Sequence, residues 1–432
     1  MSGTIFHNSE EGFHPNLNLF EPLTVETGIL GKEYQNFGPS IVISKDAPIE
    51  FLINGNSGDY IDLKNTKLRL DVQILRADKT PIQAADEVAF VNFPLHSLFR
   101  QVDVALNQQI ISASTGVNNG YKAILDVLVN GIHNPSNPKN CTHLQSALFF
   151  KDEGIVSANN VVNGGNSGLA ERYKFTSSGK KCELVGNLFV DVCQQARYIP
   201  FGVDIHFKFY PQNDAFMLMT DGDDSYSFEI TNPSLDVCKV KVNPAVIQAH
   251  DKALDISPAI FPFTKSDFKI YNIAPNLTSF IVDNLFPDYI PDKIIVCLTT
   301  SKGYNGHRHR NPYEFKHFGM NYIAFFVDNK PVPFAPLKPD FENNSYMPSF
   351  LSLYENNQNA GLIERDQFER GSCIHVFNLN PIESGGSTNI NRKGHNRLHI
   401  DFGTALPEAI TAIVYSQKSS VFMIDKTKNI FL

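Results

Sequence analysis

The residues best suited to chemistry lie in one short run, Gly306-His307-Arg308-His309-Arg310-Asn311-Pro312-Tyr313-Glu314. His307, His309 and Glu314 have the spacing H-x-H-x4-E. Alternate residues of a strand share a face, so both imidazoles would point one way, and a carboxylate from the next segment could complete part of a transition-metal shell. Arg308 and Arg310 crowd two cations beside that site and oppose it. A solvent-facing basic loop is the plainer reading. His395 and His399 are spaced i, i+4, which suits zinc on a helix. Here the segment runs into the alternating stretch RLHIDF and no Glu follows His395, so both read as solvated strand residues. Gly164-Gly165-Asn166-Ser167-Gly168 is glycine-rich but has no phosphate-loop lysine, and reads as a flexible tip. No G-x-S-x-G occurs, and no Cys/His or Ser/His/Asp set assembles from local signatures.

The His307/His309/Glu314 spacing resembles the metal motif of cupins, which are themselves jelly rolls. A bicupin-like metal-dependent enzyme is therefore one reading. Only three residues separate Gly303 from His307, fewer than the cupin pattern has, and no second motif with P-x-G followed by His appears downstream.

The elements that must carry these residues are mostly strands. In TKLRLDVQIL, Leu68, Leu70, Val72 and Ile74 alternate with Lys67, Arg69, Asp71 and Gln73, the period-two pattern of a half-buried strand. QVDVAL repeats it with Val102, Val104 and Leu106, before a turn at Asn107-Gln108-Gln109. FGVDIHFKFY places Phe201, Val203, Ile205, Phe207 and Phe209 on one face, and RLHIDF does the same with Leu398, Ile400 and Phe402. The apolar runs KIIVCL (293–298) and YIAFFV (322–327) predict strands covered on both faces. One helix interrupts the pattern: Tyr121, Ile124, Leu125 and Leu128 recur at helical spacing, with Asn118 or Asn119 as N-cap and Gly131 past the end. Its apolar stripe is expected to pack on a barrel. Residues 153–170 and 382–396 read as mobile loop tips. Residues 331–348 carry five prolines and read as a stiff, extended segment.

A chain of 432 residues exceeds the size at which one core stops growing. Alternation stops near Tyr210–Ser227, where Asp223-Asp224 reads as a solvated pair. The chain thus divides into an N-terminal arm (1–40), a first β unit (41–215), a linker (216–230) and a second β unit (231–432). The net charge of −8 argues against direct duplex-DNA binding, which needs a basic face. The first thirty residues lack a basic segment followed by an apolar one, and no apolar run is long enough to span a membrane. The chain therefore reads as intracellular in its synthesis. Six scattered cysteines without a C-x-x-C pair (Cys141, Cys182, Cys193, Cys238, Cys297, Cys373) read as free thiols.

Longer segments carry a resemblance. NFPLHSLFRQVDVALNQQIIS (92–112), with Phe93, His96, Ser97, Leu98, Phe99, Gln101, Val102, Val104, Leu106 and Asn107, followed by a helix containing Tyr121, resembles a signature of the major capsid proteins of Polinton/Maverick elements and adintovirus-like viruses. Residues 291–341 resemble that family's strand, its Asn311-Pro312, Phe315, His317-Phe318 block and its proline-rich continuation through Pro339, Asp340 and Phe341. The C-terminal stretch 396–430, with Asp425 and Asn429, is similar to the family's end. Departures fall mainly in loops: 153–170 and 382–396 look variable, and FNLNPIE replaces a usually more acidic run.

The resemblance implies an all-β fold of two tandem eight-stranded jelly rolls with short helical insertions. It implies a structural protein of the virion capsid without cofactor, metal or catalytic residues. Three chains would form a pseudo-hexagonal capsomer, and capsomers would tile an icosahedral shell around double-stranded DNA without binding it strongly. Penton and minor capsid proteins would be further partners, and no membrane insertion is implied. The positions named above would serve packing and assembly. Besides the enzyme, the open rival is a domesticated jelly-roll binding protein that no longer assembles.

Overall fold

The structure, a computed structural model, describes residues 19, 25–45, 47–111, 118–131, 142–153, 161–162, 165–222, 225–333, 335–354, 363–380 and 392–432. The first half carries β1 (Ile29–Phe37), β2 (Ile49–Ile53), β3 (Tyr60–Leu75), β4 (Val88–Phe90), β5 (Phe99–Leu106) and β6 (Gln109–Ile110). It continues with β7 (Cys182–Asn187), β8 (Ile205–Pro211), β9 (Leu218–Thr220) and β10 (Ser227–Val242). The second half carries β11 (Ala259–Ile273), β12 (Ser279–Asp283), β13 (Lys293–Thr300), β14 (Met320–Val327) and β15 (Lys330–Pro331). It ends with β16 (Ile374–Asn378), β17 (Asn396–Phe402), β18 (Ile410–Ile424) and β19 (Ile430–Phe431).

The sheet orders are β1-β10-β3-β7 and β2-β8-β5-β6 in the first half, β11-β18-β13-β16 and β12-β17-β14-β15 in the second. Taken in chain order, the two sets have the same topology strand for strand. Each is an eight-stranded antiparallel jelly roll. The pair β4–β9 and the terminal β19, which joins β18, lie outside the common scheme. Among the described residues no helix is long and apolar enough to cross a membrane.

Alternation explains which face each strand buries. Leu68, Leu70, Val72 and Ile74 on β3, and Ile205, Phe207 and Phe209 on β8, fill the first roll. The β5–β6 hairpin turns at Asn107 and Gln108, both left-handed (φ 44° and 71°), which matches the twist of the flanking strands. KIIVCL is covered on both faces for a structural reason. Ile294, Val296 and Leu298 of β13 face the second roll's interior, whereas Ile295 and Cys297 face the first roll. β18 repeats this with Ala412 and Val414 inward, Ile413 and Tyr415 toward the first roll. In YIAFFV only Ile323–Phe325 are buried; Tyr322, Phe326 and Val327 remain half-exposed.

Several expectations change. Residues 216–230 are not a spacer: they contain part of the helix Asp214–Met217, β9 and the start of β10, a central strand of the first roll. Alternation was hard to see there because Phe216–Thr220 are buried on all sides. The chain passes between rolls on the helix Pro244–Leu254 instead. Residues 29–37 of the expected arm form β1, paired along its length with β10. Asn166, Ser167 and Gly168 open the helix Ser167–Thr176, Asn166 Oδ1 accepting from Leu169 N at 3.2 Å. A Cβ at Gly168 would sit 2.4 Å from the Lys151 carbonyl, so close approach fixes that glycine. Residues 154–160, 163–164, 223–224 and 381–391, and Cys141, lie outside the described residues. The other five cysteines are free thiols.

The sheet that carries β13 closes the second roll with one face and packs on the first roll with the other, so truncation on either face must be felt globally. Ile294→Ala, in the second roll's interior, and Ile295→Ala, on the face toward the first roll, should each cost about 2–5 kcal/mol. Denaturant unfolding should stay a single transition in both variants; two separated transitions would contradict the coupling of the two rolls through this sheet.

Candidate functional site at the seam between the rolls

The two family-like blocks occupy equivalent places. Residues 92–99 end the connection from β3 to β5, and residues 311–318 end the corresponding connection from β13 to β14. The structure brings them together through the helix Asn119–Leu128. Asn118 Oδ1 caps that helix by accepting from Gly120 N at 3.1 Å, and Gly131 follows with φ 60°. Every residue from Asn119 to Val127 is buried. Asn119 Nδ2 donates to the His96 carbonyl at 2.9 Å, and Tyr121 Oη donates to the Pro312 carbonyl at 2.8 Å. Ser97 Oγ and Tyr313 Oη lie 2.6 Å apart across the seam. A Cβ on Gly120 would stand 2.3 Å from Tyr313 Oη, so only glycine lets the second roll approach there. Phe93, at φ 54°, packs edge-to-face with His96, Phe149 and Phe189.

A second layer of the seam is ionic. Lys122 Nζ contacts Asp126 at 2.6 Å and Asp191 at 3.3 Å. Ser266 of β11 donates to both Asp191 oxygens at 2.8 Å, from its amide and its hydroxyl. Tyr415 Oη of β18 donates to Asp126 Oδ1 at 2.8 Å. Burial alone would depress the Lys122 ammonium, but the electrostatic interactions with Asp126, Tyr415 and Asp191 outweigh it and hold the group protonated well above its ordinary range. Lys293 of β13, bonded to Asn130 Oδ1 at 2.9 Å, is lowered by burial. Nearby, the fully buried Arg172 donates to the Phe90 and Phe150 carbonyls and to Asp152, whose other oxygen accepts from Asn311 Nδ2 at 2.9 Å. Buried charges persist only when paired and hydrogen-bonded, and here the partners come from both rolls.

The remaining family-like positions fall elsewhere. Leu98, Phe99, Val102, Val104 and Leu106 fill the first roll, and Gln101 Nε2 donates to Asp103. Asn107 Nδ2 donates to the Lys428 carbonyl at 2.8 Å, joining the first roll's hairpin to the C-terminal turn. Asp425 closes that turn by accepting from Asn429 N at 2.8 Å. Phe315 is buried beside Tyr121. His317 stacks on Phe341 at 4.1 Å, and Phe341 continues to Tyr346 and Phe368. Asp340 accepts from Asn343, Pro339 precedes it, and Phe318 packs against the second roll's core.

The histidine run forms a tight turn, with His307 bridged to Arg310, and not a strand. Its two imidazoles lie 5.4 Å apart, while Glu314 is turned to Lys316 at 3.1 Å. Among the described residues no three metal-ligating side chains converge. His399 sits on β17, bonded to Asp401 at 2.9 Å, and His395 N donates to Asp328.

Sequence reasoning did not single out Lys122, Asp126, Asp191, Arg172 or Ser266. The i, i+4 spacing of Lys122 and Asp126 was visible, but on a lone helix it signals a solvent-exposed pair.

No family model matches the chain. An uncharacterised protein of Caenorhabditis elegans is 21% identical over 404 residues, 89% of this chain and 93% of the relative. Among solved structures, a chain of the Sputnik virophage superposes with TM-score 0.64 at 16% identity, covering 100% of this chain and 94% of that one. The Faustovirus major capsid protein gives 0.60 at 10% identity over 94% and 92%, and the mavirus major capsid protein 0.56 at 12% over 99% and 96%. Over its described residues the chain has the double jelly-roll fold of these viral proteins.

Breaking the ionic seam should cost more than removing it. Asp126→Ala leaves Lys122 short of its nearer carboxylate and should destabilise by about 3–5 kcal/mol; Lys122→Met with Asp126→Leu should recover part of that in urea melts. His375, fully buried with Nε2 lacking a hydrogen-bond partner among the described residues, is pushed by burial from 6.5 down to about 3. The unfolded chain therefore binds this proton first, and stability present above pH 6.5 is lost as pH falls toward 3, at about 1.4 kcal/mol per pH unit. A His375→Phe variant should show a flatter acid limb in the same melts.

Proposed function

We propose that the chain is a major capsid protein of a double-stranded DNA virus or a virus-derived element of the Polinton/Maverick kind. The observation that carries this reading is the superposition of two complete jelly rolls, in one order, on capsid chains matched nearly end to end. The seam supports it: two rolls locked by buried charge behave as one rigid tile. Three such chains would present six similar rolls and form a pseudo-hexagonal capsomer, with interfaces above about 2,000 Å² as in obligate assemblies. The outer strands of the sheets offer edges for neighbours. β2 and β12, which occupy the same place in the two rolls, expose Leu52 and Ile281 respectively.

On this reading the family-like positions serve the seam and the cores, and the boundary between rolls falls at Pro244–Leu254. The role is structural and non-catalytic, in the virion shell, with penton and minor capsid proteins completing the lattice. With a charge of −8, the protein would enclose DNA without gripping it.

Sedimentation and negative-stain imaging of the purified protein should show three-chain particles with a six-sided outline. Persistent monomers at high concentration would favour a non-assembling binding protein. Near-stoichiometric metal that disappears in His307→Ala/His309→Ala would favour the cupin-like enzyme.

A further inference from the structure

The helix Pro244–Leu254 carries the chain from one roll to the other, yet none of its residues is buried. It is held to the body by the bond of His250 to Tyr60 Oη at 2.9 Å and, just past its end, by the ion pair of Asp255 with Lys426. Val246, His250, Ala253 and Leu254 recur at helical spacing and face a groove of about 460 Å³ instead of a packed core. That size falls within the roughly 300–1,000 Å³ of small-ligand sites. Ile29 and Pro200 of the first roll and Phe261 of the second extend its apolar walls. An apolar stripe over open space is unusual where interiors are close-packed.

The walls have little hydrogen bonding left to give. Gly28 donates its N–H to Glu26 Oε1 at 2.6 Å, and its carbonyl accepts from Asn243 N at 2.8 Å. Ile29 is paired with Val242, and Ala259 with Ile424. The Ile260 carbonyl accepts from Arg197, and Tyr60 and His250 are bonded to each other. Pro200 and Pro258 have no N–H to offer. A peptide laid here would bury backbone donors and acceptors without partners, whereas a hydrocarbon chain has none to satisfy. Charge is different. Arg197 and Lys428 are the lysine and arginine among the lining residues, and Asp251 is the one carboxylate. The bond to Ile260 leaves most of the Arg197 donor fork unspent. Lys428 lies over the Phe201 ring at 5.1 Å, and neither cation forms an ion pair among the described residues.

We propose that this groove binds one long-chain carboxylate, a free fatty acid, with its tail under the helix and its head drawn to Arg197 and Lys428. Burying the methylene chain supplies the attraction, and Val246 and Leu254 gain the cover that the fold does not give them. The planar guanidinium suits a carboxylate and the lysine adds a second positive charge. A ligand of this kind brings one polar end and no others, which is what walls with spent backbone and two unpaired cations accept. This inference is independent of capsid assembly.

Calorimetric titration of the full-length protein with monomeric dodecanoate should show one saturable site per chain. Dodecyltrimethylammonium, which has the same tail and the opposite charge, should bind at least about tenfold more weakly, the worth of a charge-assisted bond. Val246→Asp with Leu254→Asp, on a helix with no buried residue, should abolish dodecanoate uptake while leaving circular dichroism and thermal unfolding unchanged. Arg197→Gln with Lys428→Gln should weaken uptake about tenfold and erase the preference between the two heads. No saturable uptake, equal affinity for the two heads, or uptake indifferent to both pairs of substitutions would overturn the proposal. So would affinity that falls as protein concentration rises, which would give the groove to a second chain. Binding to phosphatidylglycerol vesicles without uptake of monomeric dodecanoate would overturn it as well, in favour of a membrane surface. Absence of trimers with dodecanoate uptake intact would sink the capsid reading alone.

Discussion

The sheet β11-β18-β13-β16 is apolar on both faces, and this is the constraint on which the rest of the structure depends. One face closes the second roll; the other, through Phe263, Phe268, Ile295, Ile413 and Tyr415, has no cover of its own. Left in water it would be a large exposed apolar patch. The first roll covers it with the helix Asn119–Leu128 and the Asp191–Cys193 turn, so the two rolls are one structural body. The hydrophobic contact supplies the attraction, and the buried ions supply the register. Lys122, Asp126, Asp191, Ser266 and Tyr415 are all satisfied in one arrangement only, and a slip of the rolls would leave charge buried without a partner.

Much of the architecture was legible in the alternation. The inward faces of β3, β8 and β17, the capped helix and the Asn107-Gln108 turn follow from local rules that tertiary contact does not override. The division of the chain was less legible. Phe216–Thr220 read as irregular because the residues are buried from every side, so periodicity carries no information there. β1 was also missed, since most of its residues are exposed and its strand character comes from pairing with β10. The continuous run KIIVCL did announce a doubly covered strand, but could not say that the second cover is another roll.

The ionic seam was not legible, for a physical reason. Lysine and aspartate four apart on a helix look the same whether the helix faces water or another domain. Burial decides between those cases, and here it comes from far along the chain: Tyr415 bonds Asp126 across 289 positions, and Ser266 bonds Asp191 across 75. The family-like blocks at 92–99 and 311–318 were visible as patterns, but their meeting at Ser97 and Tyr313 required coordinates. Their equivalent placement in the two rolls explains why both regions bear distinctive residues without any repeat between them.

The contact of Asn107 with the Lys428 carbonyl has a consequence for biosynthesis. A ribosome releases the chain from its N-terminal end, so the first roll can mature while the last strands do not yet exist. Until β18 and the turn after it emerge, the oily side of that early roll has nothing to rest against. β18 and the turn after it therefore close a seam whose other side has been waiting, half dressed, for them. Such long-range closure is slow by nature. It makes the nascent intermediate, more than the finished tile, the species in greatest need of protection from aggregation.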